Sequence, residues 1–163
     1  YSDRCLGEFM EQVKSENWYK NTLFVLVADH SHRSPREWRV AQKERFQIPM
    51  LWYGEVLKED YIGSTHHQMG SHVDLSATLL NQLNVSHSEF LWSRDLLNTS
   101  VKPAIPYAFH RGYGLMNRDG YYAFSEDYQT IFEHHYKDSI AGKQMKKEAE
   151  LYFQTAFQDY LGL

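Results

Sequence analysis

Apolar residues recur at Leu6, Phe9, Met10 and Val13. These are positions i, i+3, i+4 and i+7, one face of an amphipathic helix. Ser2-Asp3 reads as the start of that helix. After a polar connection over 16–21 the pattern changes. Thr22-Leu-Phe-Val-Leu-Val-Ala28 is an unbroken, β-branched-rich run, which predicts a strand buried on both faces, as in a parallel sheet. Helix then strand is half of a βαβ unit. The four apolar helix residues are expected to pack on the sheet that holds Leu23, Val25 and Val27. A second buried strand is expected at Ile48-Pro-Met-Leu-Trp-Tyr53, closed by Gly54, with Pro49 at its start or on an edge. A loop over 55–70 leads to a helix over 73–83. Asp74 is its expected N-cap, and Leu75, Leu79, Leu80 and Leu83 are its expected buried stripe.

The pattern shifts again after about Asn98. Lys102-Pro-Ala-Ile-Pro106 reads as a linker. Asn117-Arg-Asp-Gly120 lies between Tyr113-Gly-Leu-Met116 and Tyr121-Tyr-Ala-Phe124, a hairpin signal. Thr130-Ile-Phe132 predicts one more strand. A helix over 142–161 closes the chain, with Met145, Ala149, Tyr152, Ala156, Phe157 and Tyr160 on one side. The expected organisation is an α/β part over 1–98 and a small subdomain over 99–163, an antiparallel sheet with a terminal helix.

Composition narrows the function classes. The 163 residues carry a net charge of -4, which argues against a nucleic-acid binder. Arg33 to Arg45, with Trp38, is the one basic and aromatic stretch, and no nucleic-acid motif accompanies it. The longest apolar run, Leu23 to Ala28, is far too short to span a membrane. The lone Cys5 excludes an intrachain disulfide and any multi-cysteine metal site, and its place in the first helix suggests a small buried thiol. The chain opens abruptly without an initiating methionine, as a piece of something longer would.

The chemistry concentrates at Ala28-Asp29-His30-Ser31-His32, directly after the apolar run. Open α/β sheets bind ligands at the carboxyl ends of their strands. Asp with His pairs a hard oxygen with an intermediate nitrogen, a usual ligand set for a borderline divalent metal. The same two residues also fit a plain strand end followed by a helix cap. The loop over 31–45 holds Arg33, Arg36, Arg39, Lys43 and Arg45 against Glu37 and Glu44. It reads either as a solvated loop or as an electropositive rim for an anionic substrate.

Several segments together resemble one family. They are Tyr1-Ser-Asp-Arg-Cys-Leu-Gly-Glu-Phe9, Trp18-Tyr-Lys-Asn-Thr-Leu-Phe-Val-Leu-Val-Ala-Asp-His30, Arg45-Phe-Gln-Ile-Pro-Met-Leu51, Gly70-Ser-His-Val-Asp-Leu-Ser-Ala-Thr-Leu-Leu80 and Phe90-Leu-Trp-Ser-Arg-Asp-Leu-Leu97. In order and spacing they resemble the sulfatase-like branch of the alkaline phosphatase superfamily, nearest the lipoteichoic acid synthase and phosphoglycerol transferase group. The resemblance implies the C-terminal part of an alkaline-phosphatase-like parallel-sheet sandwich, followed by the small antiparallel subdomain. It implies a metal-activated threonine or serine that attacks a phosphate or sulfate ester. Asp29 and His30 match two of the metal ligands. The ion is expected to be manganese or zinc, with magnesium or calcium as alternatives.

The nucleophile and remaining ligands are expected upstream, in the rest of the same protein. Thr22, Thr65 and Thr78 are not candidates for it. The resemblance also implies an extracytoplasmic setting, in the periplasm or cell envelope, tethered to a membrane through upstream segments. Ser31 stands where many relatives have glycine or tyrosine, and Ala77 where proline is common. His32 and Arg33 follow the metal pair, and His72 holds a position often occupied by histidine in sulfatases; all three are candidate substrate contacts. His66-His67 and His134-His135 are assigned no chemistry. Sulfatases proper usually place asparagine after the metal-binding aspartate, so His30 tilts the expectation toward phosphorus. The competing reading is a non-catalytic module whose aromatic sheet over 107–135 binds a polymer or a partner.

Overall fold

A computed structural model describes residues 1–32 and 37–162. Their contacts form two compact units. The first comprises residues 1–31 and 47–66, and the second 32–46 and 67–163.

In the first unit, α1 (Ser2–Val13) is followed by β1 (Phe24–Val27) and β2 (Met50–Tyr53). The two strands pair antiparallel, Phe24 opposite Tyr53 and Val27 opposite Met50. The parallel neighbours expected of β1 are not among the described residues. The expected burial is corrected too. Val27, Met50, Leu51 and Tyr53 are exposed, so these strands are not buried on both faces. The contact that α1 makes through Phe9 is with Phe24, which alternates to the strand face opposite Leu23, Val25 and Val27. The rings of Phe9, Trp18, Tyr19 and Tyr53 all lie 5.9–6.4 Å from the ring of Phe24. Of the predicted helix stripe only Val13 is fully buried; Phe9 and Leu6 are 46% and 40% exposed. Cys5, expected inside, is exposed.

The second unit is built on a four-stranded antiparallel sheet in the order β3 (Ile105–Phe109), β4 (Gly112–Asn117), β5 (Gly120–Ser125), β6 (Thr130–Tyr136). The β4–β5 hairpin forms where predicted. The Asn117 side-chain oxygen accepts from the backbone N–H groups of Asp119 and Gly120. Gly120 sits at φ 151°, and a Cβ there would overlap the carbonyl oxygen of His135. The linker expected at 102–106 instead runs into β3, and Pro106 is tolerated because β3 is an edge strand.

Each face of this sheet has its own core. On one face Leu115 and Tyr122 pack on Met145 and Ala149 of α3 (Ser139–Leu161). This helix starts three residues before the predicted point, because the Asp138 side chain caps it by accepting from Ile140 and Ala141 N–H. Its predicted stripe fades outward; Phe157 and Tyr160 are exposed. Asp159 nevertheless accepts a hydrogen bond from the Trp92 indole at 2.8 Å. The fully buried Tyr122 hydroxyl has no hydrogen-bond partner among the described residues. Tyr122→Phe removes that unsatisfied group, so urea unfolding should show equal or greater stability.

On the opposite face Ile105, Tyr107, Met116 and Ala123 form a core with Ala41. Gly114 lets the Tyr107 ring lie across β4, and a Cβ at Gly114 would overlap that ring. Gly114→Ala is therefore expected to cost about 1–3 kcal/mol as an overpacked site, read as a lowered denaturant midpoint.

The helix α2 (Asp74–Gln82) belongs to this unit; of the predicted stripe Leu75, Leu79 and Leu80 are half-buried, and a neighbouring strip is buried more deeply. Asp74, Ala77 and Thr78 are fully buried, while Leu83 is 70% exposed. The segment over 93–96 returns across the polar side of the helix. Ser93 Oγ accepts from Ala77 N–H, and Thr78 Oγ1 accepts from Leu96 N–H. Asp74 is the first helical residue rather than the N-cap, and its carboxylate faces Arg94.

Candidate metal centre

Asp29 and His30 follow β1 directly, at the carboxyl end of that strand. Both side chains are exposed, 88% and 79% respectively. Two local hydrogen bonds shape the pair. The His30 backbone N–H donates to Asp29 Oδ1 at 2.9 Å, which turns the carboxylate toward its neighbour. His30 Nδ1 lies 2.9 Å from the Ser31 carbonyl oxygen. A carbonyl only accepts, so Nδ1 is the donor in this contact. That Nε2 lies 3.6 Å from Asp29 Oδ2.

This geometry suits a metal. Two ligand atoms about 2.0–2.1 Å from a tetrahedral ion stand about 3.3 Å apart. A ligating histidine ordinarily donates its other ring nitrogen to a carbonyl or carboxylate, which fixes the tautomer. The Ser31 carbonyl fills that role here. Asp29 and His30 thus present one oxygen and one nitrogen at a spacing that a tetrahedral ion would span. Among the described residues, no group of three or more His, Cys, Asp or Glu stands together as a metal site.

The other predicted residues lie elsewhere in the chain. His32 and His72 belong to the second unit and are both exposed, His72 just ahead of α2. Arg33 lies outside the described residues, as does Arg36. His66 stacks on Tyr61 with ring centroids 5.4 Å apart, a local contact in the first unit.

The described part of the basic loop is built into the second unit's sheet. Arg39 pairs with Glu133 at 2.8 Å. Lys43 sits 5.0 Å above the Tyr121 ring. The Phe46 ring lies 4.7 Å from Tyr107, whose hydroxyl donates to the Ala41 carbonyl at 3.4 Å. Burial, with Glu133 nearby, pushes the Tyr107 hydroxyl well above its ordinary pKa. Sequence reasoning saw the charges of this loop but not its anchors, because Glu133 is 94 positions from Arg39.

The comparisons with known proteins bear on the whole. The sulfatase family model matches residues 1–85, the stretch that contains α1, β1, the Asp-His pair, β2 and α2. The chain belongs to the sulfatase family. Among curated relatives, this sulfatase-family chain is 26% identical over 113 residues to phosphoglycerol transferase I of Xanthomonas axonopodis pv. citri. That match covers 69% of the chain and 16% of the relative. Phosphoglycerol transferase I of Xanthomonas campestris pv. campestris is 25% identical over 129 residues, covering 79% of the chain and 18% of the relative. In structure the chain resembles an alkaline phosphatase superfamily protein from Vibrio parahaemolyticus, with a TM-score of 0.72 at 21% identity. That likeness covers 98% of this chain and 41% of the other. The fold is therefore one shared with part of an alkaline phosphatase superfamily protein, and the chain spans under a fifth of the curated relatives' length.

Proposed function

We propose that this chain is the C-terminal part of a metal-dependent sulfatase-like enzyme that cleaves or transfers an anionic ester, with Asp29 and His30 as two of its metal ligands. The observation that carries the reading is the Asp29 Oδ2 to His30 Nε2 separation of 3.6 Å, with Nδ1 already engaged by Ser31. A bound divalent ion would lower the pKa of an attacking hydroxyl and stabilise charge on the transferred group. Manganese or zinc suits one oxygen and one nitrogen donor. A phosphoglycerol ester is preferred over a sulfate ester, on the strength of His30 and the phosphoglycerol transferase relatives.

The nucleophile and the remaining ligands are assigned to an upstream region of the same protein. His32, Arg33 and His72 are assigned to the anionic substrate. The catalytic part is taken to end near residue 98, with 99–163 as its subdomain. An extracytoplasmic site of action follows from the family reading. Among the described residues no helix is long and apolar enough to cross a membrane.

The test compares residues 1–163 with a protein extended upstream. Manganese and zinc titrations are run on both, together with hydrolysis of a phosphodiester. The extended protein should bind metal tightly and turn over, whereas the present chain should bind weakly and stay silent, since two ligands fall short of the usual three. Metal-dependent turnover by residues 1–163 alone would sink the assignment of the nucleophile to the upstream region.

A further inference from the structure

The short connection that leads into α2 is held from two sides. On one side the fully buried Asp74 accepts from the Ser71 N–H at 2.8 Å and from the Ser71 hydroxyl at 3.3 Å. The Arg94 guanidinium takes the same carboxylate with two groups, Nε on Oδ1 at 3.2 Å and Nη2 on Oδ2 at 3.0 Å. The Arg94 backbone N–H adds a further bond to Oδ1 at 3.0 Å. On the other side Leu96 lies over Gly70, where a Cβ would overlap the leucine side chain. His72 falls just past these fixings. Its carbonyl accepts from the Leu75 N–H at 3.2 Å, while the residue itself is exposed.

Connecting segments are ordinarily the mobile parts of a fold. A buried ion pair adds little net stability over an apolar pair of the same volume, so stability alone does not account for this one. What a two-pronged guanidinium supplies is direction, because it meets a carboxylate in one plane. Ser71 and the first turn of α2 are bonded to that carboxylate. The backbone of His72, which lies between them, therefore takes its orientation from Arg94.

We infer that Arg94, acting through Asp74, is a positioning residue for His72 and holds that imidazole ready for the anionic ester. The inference rests on the assignment of His72 to the substrate made above. Arg94 is not itself the contact. Its Nε and Nη2 are engaged by Asp74, and its Nη1 donates to the Lys102 carbonyl at 3.4 Å. With the backbone fixed, only the two side-chain torsions of His72 remain to be ordered when the ester binds, which is the gain from preorganisation. A contact made alike in the ground and transition states acts on KM and leaves kcat alone. Loosening the fork should therefore appear in KM, and only while His72 is present.

The experiment measures phosphodiester hydrolysis by the upstream-extended protein carrying His72→Ala, Arg94→Lys or both. His72→Ala should raise KM about tenfold with kcat little changed, the loss of one hydrogen bond to a charged group. Arg94→Lys keeps the charge but not the fork, and should raise KM about threefold. In the double variant Arg94→Lys should add nothing, because no imidazole is left to position. Gly70→Ala disturbs the same connection from the Leu96 side and should repeat the pattern, so the result does not hang on Arg94→Lys folding well. If His72→Ala raises KM while Arg94→Lys and Gly70→Ala leave it unchanged, the inference is overturned and the assignment of His72 stands. Equal effects of Arg94→Lys with and without His72 overturn it too, since a general structural role would act that way. A neutral His72→Ala removes the assignment of His72 to the substrate, and the inference with it.

Discussion

Asp29→Ala, made in the upstream-extended protein, should lower ester turnover by at least about 10²-fold, the scale of losing one preorganised stabiliser of transition-state charge. It should also abolish tight manganese or zinc binding. The side chain is 88% exposed and its only described partners are the amide and ring of His30. Stability should therefore move by no more than about 0.5 kcal/mol, as for surface positions generally. That combination is what makes the result informative. A turnover loss with an unchanged urea midpoint assigns Asp29 to chemistry. His30→Ala should behave alike, because its Nε2 is the partner donor atom. Turnover that survives either change would remove the pair from the active site.

Asp74→Ala should act in the opposite way, through folding. Its carboxylate is fully buried and accepts from Ser71 N–H, Arg94 N–H, Arg94 Nε and Arg94 Nη2 at 2.8–3.2 Å. Removing one partner of a buried ion pair leaves an uncompensated charge, a loss of about 3–5 kcal/mol. Here two backbone N–H groups are orphaned as well. Much of a small domain's stability of about 5–15 kcal/mol is then gone. The check is chemical denaturation followed by circular dichroism. Arg94→Ala should cost less, because Asp74 then keeps its hydrogen bonds from the Ser71 and Arg94 backbone N–H groups, whereas Asp74→Ala orphans both donors. A neutral Asp74→Ala would show that the α2 packing is wrongly understood.

Asp74 also shows where sequence reading stops. The residue was legible as the start of a helix, because acidic residues favour that end. Its partner was not, since Arg94 is twenty positions away and reaches it only through the fold. The same loss of information hid the most deeply buried strip of α2. Four leucines at helical spacing outvoted Ala77 and Thr78, yet hydrogen bonds from the returning 93–96 segment buried the polar side. Where signals are local, the reading succeeded. The Asn117 to Gly120 turn carries its own geometry, and α1 and α3 carry a sustained period. β3 was missed because Pro103 and Pro106 read as breakers, and only its place at a sheet edge makes Pro106 acceptable. For the Asp29-His30 pair, the place just past the end of β1 was legible from the polar residues that follow the apolar run. The Nδ1 contact of His30 was not, because it is set by a carbonyl whose direction only the folded backbone fixes.

The ribbon of β1 and β2 has a practical bearing on handling the protein. Among the described residues each strand has one neighbour, so each leaves one edge of backbone donors and acceptors unoccupied. Met50-Leu51-Trp52-Tyr53 carries no charge and no proline, and Leu51 is 58% exposed. Short, uncharged, β-prone edges are templates for intermolecular strand addition. Residues 1–163 produced by themselves are therefore prone to concentration-dependent precipitation that begins at this segment. A lysine in place of Leu51, whose side chain already faces solvent, is the remedy a natural edge strand would use.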